Sequence, residues 1–418
     1  MRRTISLLVL AGLIAGIIVG ALVRAEAPQL TQAANVVEAF GGLWLNTLRM
    51  TVVPLVAALL ITGIASVSDA ARTGGLVARA VLLFSVLLVF AAVYGIAAAQ
   101  GLLGLWPVER EAAAAFIGDV GGQAVQITEA PSFVSWLQGL APANPVAAAA
   151  NDQILQLVVF AIFFGFAATR LPADMRTPLV GFFRAVAQAM IIIVHWVLLA
   201  GPIGVFALAL GVGLRAGFGA AETLVQYVAI VTAVTAGATV IAWLIGVIWG
   251  GQPLARFTGA MTPVWAIAAS TQSSIASLPA MLEAALRGLR IPAHVADVTL
   301  PLAVAVFRFT SPTANLAVCF FVAHLYNYEP SLLQMAGAVV VAYGVSIGSV
   351  GLPGQISFIA SIAPICMALG VPFELLGILL AVEVIPDIFR TLGNVTGDVA
   401  TTSILARGAP REDAEEAV

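Results

Sequence analysis

The sequence predicts an all-α, polytopic membrane protein, and its composition is the first observation that predicts it. Of the 418 residues, 61% are hydrophobic and only 9% are charged, with a mean hydropathy of +1.06. A soluble core does not need that much apolar surface, whereas a bundle of membrane-spanning helices does. The net charge of −3 is too small to favour a nucleic-acid partner. We therefore expect a lipid bilayer around most of the chain.

Long apolar runs are the second observation, because each can cross a bilayer at about 1.5 Å per helical residue. They lie near residues 5–24, 40–65, 79–105, 145–168, 186–212 and 223–249. No small-residue cleavage site follows the first run, so we interpret it as a span rather than a removed signal peptide. Arginines cluster at alternate loops and the 107–144 connection is acidic. The positive-inside rule then predicts cytoplasmic termini.

Two interrupted apolar stretches after residue 250 are the third observation. They are WAIAASTQSSIASLPAMLEAAL (265–286) and VAYGVSIGSVGLPGQISFIASIAPICMALG (341–370). Each half has about 10 residues, too few to cross alone, so each pair predicts a hairpin that enters and leaves on one side. A Pro/Gly kink in an ordinary bundle is the alternative, which two matched tips disfavour. A polar-marked helix follows each hairpin, over 297–325 and 373–405, and such duplication indicates a midplane binding site of a transporter.

The segment EVIPDIFRTLGNVTGD (383–398) places charged residues inside the apolar C-terminal run. At about 100° per residue, its polar side chains share an arc of about 100°, so one helix would carry them as a single stripe. They are Glu383, Asp387, Arg390, Thr391, Asn394 and Asp398. Charged groups inside a membrane segment mark a solvated cavity or a polar ligand. An internal Asp387–Arg390 ion pair is the alternative, but it would leave two carboxylates without partners.

Motifs along nearly the whole chain resemble those of the dicarboxylate/amino acid:cation symporter family, the glutamate transporters. They are LRMTVVPLVAALLITGIASVSD (48–69), LAPANPVAAAAND (140–152), GPIGVFALAL (201–210), TQSSIASLP (271–279), SIGSVGLPG (346–354) and DIFRTLGNVTGD (387–398). The resemblance implies eight transmembrane helices plus two re-entrant helical hairpins, built as inverted repeats, in a homotrimer. It also implies an elevator mechanism, in which a transport domain slides against a fixed scaffold.

The same resemblance divides the chain into regions. Residues 1–78 would form scaffold helices 1–2, 79–106 transport-domain helix 3, 107–215 an extracytoplasmic connection with scaffold helices 4–5, and 407–418 a cytoplasmic tail. The remaining segment, 216–406, would complete the transport domain with helix 6, hairpin 1, helix 7, hairpin 2 and helix 8.

The resemblance further implies an acidic amino acid as substrate and a role for each site residue. Arg390 would pair with the substrate's side-chain carboxylate, and Asp387 would bind its amino group. The other predicted binding residues are Thr391 and Asn394 on the same helix, Ser273 and Ser274 at the first hairpin tip, and Gly351, Leu352, Pro353 and Gly354 at the second. The residue chemistry agrees, since a planar guanidinium suits a carboxylate and a buried carboxylate suits an ammonium.

The sequence departs from the family where the resemblance places sodium ligands. The Asn-Met-Asp-Gly-Thr motif of helix 7 falls on Phe307, Arg308, Phe309, Thr310 and Ser311, and a Thr-Ser pair of helix 3 falls on Leu87 and Leu88. We therefore expect one sodium site to be abolished and a second to keep Asp398 without side-chain support. A third, made chiefly of main-chain carbonyls around Ser346, Ile347 and Ser349, is the residual metal site that the sequence leaves open.

Arg308 would place a permanent positive charge where the family binds a cation. Our hypothesis is that it replaces sodium as a tethered counter-ion of Asp398 or Asp387. One alternative is that it relocates an arginine that relatives have in hairpin 1, where this chain has Gln272. Another is that it snorkels to the aqueous end of its helix.

Protons are the next candidate for the coupling ion if sodium is not used. Glu383, Asp387 or Asp398 could carry one, whereas Asn315, near the position of a proton-carrying glutamate in animal relatives, cannot titrate.

The predicted function is therefore symport of aspartate or glutamate across the cell inner membrane, with sodium coupling reduced or lost and proton coupling favoured. A sodium-coupled or exchange-mode transporter of another small dicarboxylate is the family-level alternative, and an anion-conducting channel is a second one. A membrane enzyme is disfavoured because the sequence has no HExxH, no GxSxG and no paired metal ligands in a span. No organic cofactor is predicted.

Overall fold

The computed structural model describes residues 2–71, 74–117, 133–151, 153–217, 219–348 and 354–407, and every regular element in these ranges is helical. The N-terminal helices are α1 (Arg2–Glu26), α2 (Thr31–Ala71), α3 (Gly75–Leu105), α4 (Arg110–Ile117), α5 (Phe133–Gln138), α6 (Pro145–Ala150), α7 (Ile154–Ala168), α8 (Ala173–Leu199) and α9 (Gly201–Ala216). The C-terminal helices are α10 (Gly219–Leu244), α11 (Leu254–Thr271), α12 (Ser274–Glu283), α13 (Ala293–Val306), α14 (Thr310–Leu325), α15 (Leu332–Gly348), α16 (Gly354–Leu369), α17 (Leu376–Leu379) and α18 (Val384–Ala406). The predicted all-α class is thus confirmed for the described ranges.

Helix length and composition agree with a multi-pass membrane protein. Within the described ranges, 6 helical stretches are long and apolar enough to cross a bilayer. They are Leu8–Glu26, Pro28–Ser68, Gly75–Leu105, Ala173–Leu199, Gly219–Trp249 and Ala293–Leu325. Four shorter apolar helices of 10–17 residues lie in the same described ranges, at Ile154–Ala168, Gly201–Ala216, Leu332–Gly348 and Phe358–Leu369.

Several runs that the sequence presents as continuous are divided in the structure. The run 186–212 contains the end of α8 and most of α9, because Pro202 at the start of α9 has no N–H to continue the preceding helix. The run 145–168 is likewise divided into α6 and α7. Asn144 caps α6 by accepting hydrogen bonds from the N–H groups of Val146 and Ala147. A single continuous helix in either run would therefore be wrong.

The two polar-marked helices are also divided. The segment 297–325 breaks after Val306 and resumes at Thr310, and 373–405 comprises α17, a 3-10 turn at Leu380–Val382, and α18. Glu383 is consequently the residue before α18 rather than part of it. Its backbone is nonetheless helical, with φ −69° and ψ −12°, and its carbonyl accepts the Asp387 N–H at 2.9 Å, so Glu383 caps the helix that carries the other five polar residues.

Each interrupted stretch contributes two helices that pack against each other, and the described residues include the break between them only in the first. In the first, α11 packs against α12 and the chain reverses at Gln272, whose φ of 51° is left-handed. In the second, α15 packs against α16. Its predicted tip residues Ser349, Gly351, Leu352 and Pro353 lie outside the described residues, and Gly354 begins α16.

The site lies where α18 packs against α10, α14 and the break before α14. Glycines permit the close approach, since a Cβ at Gly393 would overlap Thr310 Cγ2 and one at Gly397 would lie 3.0 Å from Phe309 Cβ. The other main packing group joins α1 and α2 to α9, and α2 also to α7 and α8. The helices α1, α2 and α9 therefore pack closely on one another, while α2 also contacts α15 and α16, and α3 packs on α14.

Candidate functional site

Arg390 is the centre of a buried polar network on α18. Its Nη1 donates a hydrogen bond to Asn315 Oδ1 on α14 at 2.7 Å. Its Nη2 lies 2.7 Å from Glu383 Oε1, in an ion pair whose N–H is not aligned with the oxygen. The arginine side chain keeps 11% of its surface exposed, against 7% for Glu383. Arg390 is therefore oriented from two sides, and its buried Nε and Nη2 have no hydrogen-bond acceptor among the described residues.

Tyr227 on α10 completes this network from behind Glu383. Its hydroxyl donates to Glu383 Oε2 at 2.7 Å, and the fully buried ring packs edge-on against Phe321 at 5.2 Å. Asn315 in turn donates to Ser311 Oγ at 3.3 Å. The sequence analysis missed Tyr227 and gave Asn315 no positioning role. Each is a single polar residue in an apolar run, and that pattern alone does not indicate which distant residue it contacts.

Asp387 and Arg308 add a second pair of charges. Arg308 lies at the break between α13 and α14, and both side chains are half-buried. The Arg308 guanidinium acts electrostatically on Asp387, as Arg390 does from one turn along α18. The two carboxylates, Glu383 and Asp387, and the two guanidinium groups, Arg308 and Arg390, make a cluster whose formal charges sum to zero.

Asn394 is fixed by the first residue of α14. Its Oδ1 accepts from the Thr310 N–H and from Thr310 Oγ1, each at 2.9 Å. Since a backbone N–H can only donate, the atom facing it must be the carboxamide oxygen. The Asn394 amide nitrogen therefore points away from this contact, where it can donate to an acceptor such as a carboxylate.

The other predicted binding residues make local bonds that set their positions. Thr391 Oγ1 donates to the carbonyl of Asp387 at 3.0 Å, and Ser273 caps α12 by accepting from the Ala276 N–H at 3.2 Å. Ser274, the next residue, begins α12. Gln272 Nε2 donates to the Val384 carbonyl at 3.5 Å, which brings the first hairpin tip to the start of α18.

Asp398 is separate from this cluster. It is fully buried, and neither of its carboxylate oxygens has a hydrogen-bond partner in the part of the chain that the structure describes. Two phenyl rings cover the adjacent Gly397, since a Cβ there would lie 3.3 Å from the Phe307 ring as well as 3.0 Å from Phe309. An orphaned carboxylate of this kind needs a proton or a cation as its partner.

The residues present do not fit the side-chain sodium sites that the family resemblance implies. Phe307 stacks on Phe84 with ring centroids 4.6 Å apart, and Leu87 and Leu88 are buried, so apolar groups occupy the places of oxygen ligands. The main-chain alternative has Ser346 fully buried, with its Oγ donating to the Ala342 carbonyl at 2.7 Å. Ile347 follows in the last turn of α15, and the residual site itself stays a prediction.

The fold and the site together define a multi-pass membrane transporter, with ion-paired polar groups buried between apolar helices. The profile of the Sodium:dicarboxylate symporter family matches residues 5–408, and the chain belongs to this family. Its members are transporters rather than enzymes.

Relatives match over most of their own length. The chain is 28% identical over 400 residues to a proton/glutamate-aspartate symporter of Escherichia coli, covering 92% of this chain and 88% of the relative. It is 24% identical over 406 residues to a proton/sodium-glutamate symport protein of Geobacillus stearothermophilus, covering 95% and 92%. It is 27% identical over 452 residues to a human neutral amino acid transporter A, covering 97% and 82%.

Proposed function

We propose that this protein is a symporter of aspartate or glutamate in the cell inner membrane, with sodium coupling reduced or lost and proton coupling in its place. The observation that carries the proposal is the partly exposed Arg390, oriented by Asn315 and Glu383. A bidentate guanidinium suits a substrate carboxylate. Asp387, one turn earlier on α18, suits an ammonium group. An acidic amino acid carries both groups, and the relatives from Escherichia coli and Geobacillus are named for such substrates.

The coupling proposal rests on Arg308 and on the apolar residues around it. Arg308 supplies a fixed positive charge at the helix break, so the cluster balances its own charge without a bound metal cation. Phe307, Phe309, Leu87 and Leu88 provide no side-chain oxygen for sodium. A proton needs no coordination shell, and the Escherichia coli relative is named as a proton symporter.

The proposal extends to assembly and mechanism. We propose a homotrimer with cytoplasmic termini, in which α3 and α10–α18 move as a transport domain against scaffold helices from α1, α2 and α7–α9. The extensive packing of α1 and α2 on α9 supports the scaffold group, and the packing of α3 on α10 and α14 supports its place in the transport domain. The re-entrant hairpins would be α11–α12 and α15–α16.

A second candidate is transport of a small dicarboxylate that has no amino group. It is favoured by the attraction between the charges of Arg308 and Asp387, because a carboxylate that already has a cationic partner has less need of an ammonium. Competition between succinate and labelled aspartate distinguishes the two substrates. Weak displacement of aspartate by succinate supports the amino acid as substrate, and tighter binding of succinate than of aspartate supports the dicarboxylate.

Uptake into proteoliposomes tests the proposed function. Labelled L-aspartate is supplied with an inward proton gradient in sodium-free buffer, with an inward sodium gradient, or with no gradient. We expect proton-driven uptake without sodium in the wild type, and its loss in Arg308→Met. Arg287→Met is the matched control, because Arg287 is 84% exposed and lies outside the cluster. Strict sodium dependence of the wild type, or unchanged sodium-free uptake in Arg308→Met, contradicts the coupling proposal.

A further inference from the structure

Glu383 belongs to the buried network but has no contact with substrate in the proposed binding scheme. One of its oxygens lies 2.7 Å from Arg390 Nη2, and the other accepts the Tyr227 hydroxyl at 2.7 Å. With 7% of its side chain exposed, it is the more deeply buried member of the ion pair. Its carboxylate therefore depends on Arg390 and Tyr227 for the partners that a buried charge needs.

Charge balance in the cluster changes when the proposed substrate enters. Glu383 and Asp387 are balanced by Arg308 and Arg390 in the free protein. An acidic amino acid carries two carboxylates and one ammonium, so its binding adds one net negative charge. An uncompensated charge among apolar helices is costly. One proton taken up with the substrate restores neutrality, and no metal ion is required.

The geometry selects Glu383 as the group that takes this proton. Asn315 already holds Arg390 Nη1, so a substrate carboxylate bound in two places takes the Nε–Nη2 edge, where Nη2 now faces Glu383. That exchange removes the cationic partner of Glu383 and leaves it the Tyr227 hydroxyl. Because a tyrosine hydroxyl both donates and accepts, it stays bonded to a carboxylate or to a neutral carboxyl. Asp387, by contrast, keeps Arg308 and gains the substrate ammonium.

The other groups that face this network do not compete for the proton. Asn315 and Ser311 on α14 cannot titrate, and the Sγ of Cys319 on the same helix lies against Cys366 and the Ile362 carbonyl. From α18, Arg390 and Asp387 face Glu383, and from α10 Tyr227 does.

We propose that Glu383 is the binding site of the cotransported proton, which it accepts when the substrate carboxylate displaces it from Arg390. This rests on the proposed function and assigns the coupling step to one side chain. The bond between Glu383 and Arg390 breaks, the contact between Arg390 and the substrate forms, and one proton moves from solvent to the Glu383 carboxylate. The reverse exchange on substrate release returns the proton to solvent on the other side.

Proton uptake on binding tests the assignment directly. L-Aspartate is added to purified protein in sodium-free, weakly buffered detergent solution that contains a pH-sensitive dye. Charge balance predicts about one proton taken up per bound aspartate in the wild type, and none in Glu383→Gln, whose neutral carboxamide stands for the protonated acid. Glu383→Asp should regain the uptake. Glu283→Gln is the matched control, since Glu283 is 69% exposed and should behave as wild type.

Transport gives the second measurement. Glu383→Gln in proteoliposomes should still exchange internal for external labelled aspartate, while an inward proton gradient no longer drives net uptake. Proton uptake that persists in Glu383→Gln overturns the assignment, as does wild-type protein that binds aspartate without taking up a proton. Loss of all aspartate binding in both Glu383→Gln and Glu383→Asp also overturns it, because Glu383 would then only build the site. Wild-type protein that binds no aspartate overturns the proposed function itself.

Discussion

Replacing Asn315 with leucine tests whether one hydrogen bond positions Arg390 for its ligand. Asn315 is 1% exposed, and its Oδ1 is the acceptor that Arg390 Nη1 meets at 2.7 Å. Leucine has the same branching at Cγ but is larger and cannot accept a hydrogen bond. A hydrogen bond to a charged group contributes about 1.5–3 kcal/mol. At about 1.4 kcal/mol per factor of ten, we expect the affinity for aspartate to fall roughly 10- to 150-fold.

Isothermal titration calorimetry of purified Asn315→Leu with L-aspartate measures this loss, and thermal unfolding checks that the variant is folded. Thr299→Val is the matched control, because it too removes a buried polar group that is hydrogen-bonded to a neighbouring helix. That group is the Thr299 hydroxyl, which lies 3.2 Å from Thr402 Oγ1. Thr299→Val should lower stability and leave aspartate affinity unchanged. A folded Asn315→Leu whose affinity stays within about twofold of wild type refutes the reasoning that Asn315 orients the arginine.

Three further outcomes follow from packing and surface contacts. Gly393→Ala should lower the free energy of unfolding by about 1–3 kcal/mol through overpacking, because its Cβ would overlap Thr310 Cγ2; Gly259→Ala, with open space around it, should not, and equal melting temperatures would contradict this. Cys319 and Cys366 should resist maleimide until the protein is denatured, since both are fully buried; rapid labelling of folded protein would count against the packing of α14 on α16. Arg49→Ala removes an exposed ion pair to Glu374 at 3.6 Å, so we expect a stability loss of about 0–1 kcal/mol, and a larger measured loss would mean that this contact holds α2 more firmly.

The position of the first helix break shows why sequence patterning alone has limits here. Apolar composition marks 297–325 as one membrane stretch, in which Pro312 disfavours a continuous helix through residue 308 but does not specify how the break is arranged. The break at 307–309 is stabilised from elsewhere, because the Asn394 carboxamide on α18 accepts the Thr310 N–H that begins α14. A contact between residues 84 positions apart is decided by packing rather than by local preference.

The sequence by itself determined the helical membrane class and the charged segment ending in Asp398, and it predicts two interrupted hairpins and the loss of sodium ligands at Phe307 and Phe309. These follow from composition, breaker residues and side-chain chemistry, which are local properties of the chain. Only the tertiary structure decided which charges share a cluster. It added Arg308, Tyr227 and Asn315 from other segments to the face that already carries Glu383, Asp387 and Arg390, because partners for a buried charge are chosen by the packing of distant segments.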